Sequence, residues 1–325
     1  MLDTMTVIEL AIPYEQPGYD NEIKLPGYLY LPLERNRLVD RPKTPIVINL
    51  NGGDSIQEEL FFICPSLGPQ LGYAVLTFDG PGQGSVLRKQ AIGMRPDWEM
   101  VIRQVVDWLS EFSDTSEGSK HHLDLDQIAI VGASMGGYFA LRGARDSRVK
   151  ACVSIDAPYD MWDLATAKLP KWFLHGWNSG LISNSVVDFI VALVSRVNFQ
   201  LKWEVEHMKW AFGTDTASTA LKRLQEYSFR LPDGSEFLED VHCACLITGA
   251  GSSLYFDIEQ STMKIFNALK NINENMKEVW IAKHPNEGGL QAKVGAFSVS
   301  NQRTFAFLDR CFSIKRLPIE VMTDC

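Results

Sequence analysis

A chain of 325 residues with a formal net charge of -9 is long for one compact core and short for two large ones, and its sign disfavours nucleic acid or an anionic membrane as main partner. A hydrophobic fraction of 46%, with Gly and Pro spread along the chain, excludes a disordered or low-complexity protein. The opening MLDTMTVIEL lacks a basic run before an apolar core and does not read as a secretory signal, while the most apolar stretch, Val186 to Val197, carries Asp188 and Arg196 and is too short to span a bilayer.

Short apolar runs then alternate with longer helical patterns, the mark of a sheet wound with helices. Thr6 to Ile12 and Gly27 to Leu31 read as two early antiparallel strands. Pro45 to Leu50 (PIVINL) and Tyr73 to Phe78 (YAVLTF) read as buried strands, a helix follows over Asp97 to Phe112, and Ile128 to Val131 continues the sheet. Ala151 to Ile155, Ala244 to Thr248 and Glu278 to Ala282 complete a set of eight strands. Strands this apolar are expected where helices cover both faces, which makes the class α/β with a mostly parallel sheet and functional loops at the carboxyl ends of its central strands.

Between Pro158 and Val241 the strand–helix rhythm stops. This stretch is rich in tryptophan (Trp162, Trp172, Trp177, Trp203 and Trp210) and reads as an inserted helical cap. The expected division is a core of 1–157 and 241–325 with a cap over 158–240. Bulky rings above strand ends suggest a closed, largely apolar pocket, and Trp162, Trp172, His175 and Trp203 are its candidate lining. Each ring taken alone is better explained as glue between cap and core, while the five together favour at least one lining the pocket.

The chemistry centres on Gly132-Ala133-Ser134-Met135-Gly136, a G-x-S-x-G that directly follows a strand and opens a helix. Only a tight, strained turn joins those elements, and small neighbours push Ser134 into the open as a nucleophile. The Met135 amide, at a helix N-terminus, points where an oxyanion forms. The loop after PIVINL, Asn51-Gly52-Gly53-Asp54-Ser55, offers Gly53 N–H as the second donor. Asp54 is a carboxylate near the serine, readable as a general acid or base or as a helix N-cap for Ile56 onward. Asp79-Gly80-Pro81-Gly82-Gln83-Gly84 matches neither a dinucleotide nor a phosphate-loop pattern and reads as a structural turn. Cys243 and Cys245 form C-x-C rather than C-x-x-C, and the cysteines, including Cys64, Cys152, Cys311 and Cys325, read as reduced thiols of a cytoplasmic protein. No cofactor or metal is called for. The expected partner is a small hydrophobic substrate rather than nucleic acid or membrane, with a homodimer left open.

The combination of NGGDSIQEE, TFDGPGQGS, RPDWE and VGASMGGYFALR resembles the α/β-hydrolases around 2,6-dihydropseudooxynicotine hydrolase, the fungal pigment-pathway polyketide-shortening hydrolases and the fusarin-cluster hydrolase. The match runs from about Ile46 to Phe307 and is weakest in the cap. The resemblance implies the α/β-hydrolase fold with a helical cap, a serine nucleophile, and work on carbon–carbon or ester bonds of ketone-rich metabolites, some relatives being associated with ring formation. It also implies a catalytic acid after the seventh strand and a histidine after the eighth. At the acid's place stands Ser252, in Gly249-Ala250-Gly251-Ser252, with Asp257 as fallback; at the histidine's place stands Gln291.

No histidine follows His284, which comes early for the role. His175, His207 and His242 lie in or beside the cap, and His121 and His122 sit on a polar loop. Glutamine cannot take a proton at neutral pH, and neutral serine does not orient an imidazolium as aspartate does. Three readings compete. The first is a non-hydrolytic enzyme of secondary metabolism that folds a polyene or polyketone for cyclisation or rearrangement, using Ser134, Asp54, Gln291 and the two amides. The second is a serine hydrolase with a displaced base, His284 first, and Asp257 or Asp156 as acid. The third is a catalytically dead ligand-binding module.

Overall fold

The computed structural model describes residues 4–163 and 169–316. Eight strands form one sheet: β1 (Met5–Tyr14), β2 (Ile23–Pro32), β3 (Thr44–Leu50), β4 (Ala74–Phe78), β5 (Leu123–Ala133), β6 (Val149–Ile155), β7 (Ala244–Ala250) and β8 (Lys277–Ala282). Their order is β1-β2-β4-β3-β5-β6-β7-β8. The β1/β2 and β2/β4 pairs are antiparallel and all others parallel. The expected mostly parallel α/β sheet is therefore the architecture found. Every residue of β3, β4 and β7 is buried, which is why these segments are unbroken apolar runs. Alternate residues enter two separate cores: Ile46, Ile48 and Leu50 face the layer with Trp98 and Phe139, and Val47 faces the layer with Phe305 and Leu308.

Helices α1 (Gly84–Gln90), α2 (Glu99–Asp114) and α3 (Met135–Gly143) follow β4 and β5. α2 starts at Glu99 rather than the expected Asp97, because Asp97 is held outside the helix by a fork from Arg95, at 2.7 Å on each oxygen. Its first residue, Glu99, takes a second fork from the buried Arg142 of α3, again 2.7 Å on each oxygen. Trp98 stacks on Phe139 with centroids 4.0 Å apart. The RPDWE motif thus clamps the helix that begins at the G-x-S-x-G turn.

Among the described residues between β6 and β7 lie the helices α4 (Lys171–Asn178), α5 (Asn184–Val194), α6 (Phe199–Phe212) and α7 (Ala217–Arg223). Ser183, Asn198 and Thr216 cap the last three with side-chain oxygens. Asp188 turns inward to the Ser218 amide and hydroxyl at the start of α7. The outward stripe of α5, with Val186, Phe189, Ile190, Leu193 and Val194, is left without charge and exposed. A short α8 (Lys264–Ala268) and a long α9 (Phe297–Cys311) complete the fold, α9 packing on the β6 and β7 side of the sheet. No helix among the described residues is long and apolar enough to cross a membrane. Five cysteines are free, four of them buried; Cys325 lies outside the described residues.

Candidate active site

The turn between β5 and α3 places Ser134 at φ 54° and ψ −123°. A non-glycine residue persists in so sparsely populated a conformation only where its surroundings over-determine it. Here they do: the Ser134 amide donates to the Ile155 carbonyl at 2.7 Å, and its carbonyl accepts from the Gly137 amide at 2.9 Å. Close approach explains the flanking glycines. A Cβ on Gly132 would lie 2.0 Å from the Gly136 carbonyl oxygen, and one on Gly136 would lie 2.6 Å from the carbonyls of Leu50 and Asn51. The Ser134 side chain is thereby turned outward. It makes no capping bond to α3, and among the described residues no side chain is hydrogen-bonded to it.

Gly53 and Met135 adjoin, since a Cβ on Gly53 would meet Met135 Sδ at 3.3 Å. Among the described residues neither amide has a protein acceptor. The segment from Asp79 to Gly84 holds this loop in shape. Gln83 Nε2 donates to the carbonyls of Asn51 at 3.1 Å and Gly52 at 2.9 Å, while its Oε1 accepts from the Gly80 amide at 3.0 Å. Asp79 accepts from the Asn51 side chain and from the amides of Gln57 and Ser85. In a trans peptide the C=O of one residue and the N–H of the next point in opposite directions. Binding of the Gly52 carbonyl by Gln83 therefore turns the Gly53 N–H the other way, leaving it free to act as a donor. The segment that reads as a structural turn is one, and it also sets the direction of the Gly53 N–H.

The ends of β6, β7 and β8 meet beside the elbow. Asp156 follows β6 with φ 51°. Its amide is shared between the Thr248 carbonyl and hydroxyl, each at 3.2 Å, and its Oδ1 accepts from Thr248 Oγ1 at 2.7 Å. Lys293 Nζ lies 2.8 Å from the same Oδ1 and donates to the Gly249 carbonyl at 3.0 Å. Both side chains are enclosed, at 0% exposure for Lys293 and 2% for Asp156. Burial pushes the Asp156 carboxyl up, opposed by the Lys293 charge, and burial pulls the Lys293 ammonium down, opposed by Asp156. Gln291 Nε2 donates to the Asp156 carbonyl at 2.8 Å, and Gln291 Oε1 accepts from the Ser253 hydroxyl at 2.7 Å. The serine facing Gln291 is thus Ser253. Ser252, which holds the acid's place in the sequence pattern, turns its hydroxyl to the Lys283 carbonyl at 3.0 Å and braces the β8 loop.

The remaining candidates are placed as follows. Four of the six histidines, His122, His175, His242 and His284, are exposed, and His121 sits at the opposite end of β5, stacked on Phe112. His284 stands at a strand end before Pro285, where only its backbone carbonyl is engaged, by the Glu287 and Gly289 amides. His207 alone reaches the Gly53 loop: its Nε2 lies 3.0 Å from the Gly53 carbonyl, and its ring stacks on Trp203 at 5.5 Å. Asp54 is exposed and caps no helix, because the following turn is a short 3-10 helix, Glu59–Phe62, whose N-cap is Glu58. Asp257 accepts from the amides of Glu259 and Gln260 and so acts as a cap. Burial, together with the charges of Glu204 and Asp54, raises the Tyr255 hydroxyl above the ordinary tyrosine range. A cleft of about 490 Å³ opens between α4 and the β7 loop, lined by Trp162, Leu174, Tyr255 and Phe256 together with Lys171 and Asp257. It is open rather than closed, and its walls are mostly apolar. Trp172 is 72% exposed and meets Phe173 edge-on, and Trp177 is buried in the packing.

Among residues that sequence reasoning missed or undervalued, Gln83, Ser253 and Lys293 have no local motif.

Known proteins bear on this arrangement. A family model described as "Alpha/beta hydrolase family" matches residues 53–252. The hydrolyase ccsE of Aspergillus clavatus is 50% identical over 315 residues, covering 96% of this chain and 70% of that protein. The hydrolase ffsE of Aspergillus flavipes is 46% identical over 307 residues, covering 94% and 67%. Among solved structures, that of the 2,6-dihydroxy-pseudo-oxynicotine hydrolase aligns with a TM-score of 0.62 at 20% identity, covering 95% of this chain and 70% of that one, a likeness of fold.

Proposed function

The chain belongs to the alpha/beta hydrolase family, and from that premise we propose that it tailors secondary metabolites by closing a ring in, or rearranging, an apolar polyene or polyketone without net hydrolysis. The observation that carries this reading is the pairing of Gln291 with Ser253 and the Asp156 carbonyl, while His284 stands exposed and the Ser134 hydroxyl has no partner among the described residues. A hydrolytic serine needs a base within hydrogen-bond reach, and a glutamine amide cannot serve. What remains is a set of donors: the Gly53 and Met135 amides, the Ser134 hydroxyl and the Gln291 amide. Donors fixed before reaction stabilise an oxygen on which negative charge grows, and orientation of two reacting ends supplies much of the remaining acceleration. In this reading residues 158–240 act as the lid, with Trp162, Trp203 and His207 beside the guest and Trp172 at its outer edge. Asp54, whose charge reaches Tyr255, faces the entering substrate. A cytoplasmic setting fits the free thiols.

Labelling with a fluorophosphonate tests this directly. Ser134 is expected to label slowly, and Ser134→Ala to keep a substantial part of ring-forming turnover. Rapid labelling of Ser134, together with complete loss of turnover in Ser134→Ala, would overturn the proposal. That outcome would favour the second reading, a true serine hydrolase of esters, lactones or carbon–carbon bonds. The hydrolase names of the relatives and the approach of His207 to the Gly53 loop support that alternative. His207→Ala then abolishes labelling.

A further inference from the structure

We propose that the buried Lys293–Asp156 ion pair is the positioning device that holds Gln291 at the active site, a role that rests on the reading above only in taking Gln291 to face the substrate. Two residues separated by one, Gln291 and Lys293, tie the ends of β6 and β7 together. Gln291 bonds to the Asp156 carbonyl and Ser253, and Lys293 bonds to the Asp156 carboxylate and the Gly249 carbonyl. The Lys293 ammonium also sits 4.6 Å from the centroid of Trp280 on β8.

Sending both side chains inward requires an unusual backbone. Ala292 and Lys293 stand at φ 56° and 58°, and Asp156 opposite them at φ 51°. Left-handed conformations at three non-glycine residues are costly, and such strain persists where surrounding contacts impose it. The ion pair is the contact with the strength to do so, since an ammonium with no exposure would be prohibitive without its carboxylate. The carboxylate partner is the residue whose own carbonyl takes the Gln291 amide, so the geometry of the pair passes to Gln291 through one peptide group. Asp156 Oδ2 is enclosed without a hydrogen-bond partner among the described residues. The carboxylate is therefore held from one side only, by Lys293 and Thr248, and its orientation depends on them.

A double substitution separates positioning from bulk stability. Replacing both members of a buried pair by apolar residues often restores stability, whereas removing one member leaves an uncompensated charge. The protein is labelled with ¹⁵N-glutamine, and the Gln291 side-chain amide is assigned by its loss in Gln291→Glu. We expect this resonance, shifted by its two hydrogen bonds in the native protein, to move to the position of solvent-exposed glutamines in Lys293→Met and Asp156→Asn. In Lys293→Met/Asp156→Leu the melting temperature returns towards the native value while the resonance stays displaced. Binding of benzoylacetone, a 1,3-diketone probe followed by its enol absorption, weakens about tenfold in the double variant. A native resonance in either single variant, or its recovery together with stability in the double variant, overturns the proposal and reduces the pair to packing. Should a single variant fail to fold, the double variant still decides. Failure of the ring-closure reading shows separately, as rapid fluorophosphonate labelling of Ser134 with the Gln291 resonance unchanged.

Discussion

Gln83 Nε2 stands 2.9 Å from the carbonyl oxygen of Gly52, and through that one peptide plane it directs the Gly53 N–H. Gln83→Glu removes the donor and sets a carboxylate against two carbonyls. Turnover is expected to fall towards the roughly 10²–10³-fold loss of a missing oxyanion donor, with substrate affinity much less affected. Steady-state kinetics on Gln83→Glu beside Gln83→Met measure the split. An equal loss in affinity and rate would show that Gln83 supports the fold alone.

Gly136 tests the elbow from the other side. A methyl group there would press on the Leu50 and Asn51 carbonyls at 2.6 Å, and backbone atoms yield less readily than side-chain ends. Gly136→Ala is expected to destabilise the protein by about 1–3 kcal/mol, as overpacking typically does. Denaturant unfolding reads this, and a native midpoint would contradict the close approach.

His207 ties α6 to the Gly53 loop through one hydrogen bond. Such a bond contributes about 0.5–1.5 kcal/mol net, too little to dominate global stability but enough to shift a local opening equilibrium. In His207→Ala, amide hydrogen exchange across residues 199–212 should speed up several-fold while the melting temperature moves little. Unchanged exchange there would place the anchorage of α6 elsewhere.

Asp97 supplies a pH dependence of defined sign. The fork from Arg95 holds its carboxyl below the ordinary aspartate range. The unfolded chain therefore takes up this proton first as pH falls. The stabilisation is complete above about pH 4, the unfolded value, and is lost as pH falls through the lower folded value. Asp97→Asn should flatten the acid limb of the stability profile in that window and leave its neutral region parallel to the native one. An unchanged acid slope would count against this fork as a contributor.

How much of this was legible beforehand follows from what is local. The strands over Pro45–Leu50 and Tyr73–Phe78 could be read from the chain because a parallel strand buried on both faces must be an apolar run. The elbow at Ser134 could be read because only small residues permit a strand to turn directly into a helix there. The start of α2 moved by two residues, from Asp97 to Glu99, since the Arg95 fork and the Glu99–Arg142 fork are side-chain contacts with no periodic signature.

Sequence by itself determined the sheet class, the position of the elbow serine and the two loops that carry its neighbouring amides. These depend on residues a few places apart, whose hydrophobicity and size dictate backbone conformation. Tertiary structure alone decided that Ser253 rather than Ser252 meets Gln291, that Lys293 enters the interior to pair with Asp156, and that Gln83 orients the Gly53 peptide. Each of these joins segments distant in the chain. Their partners are selected by where adjacent strands end, a distance in space that no spacing along the chain encodes.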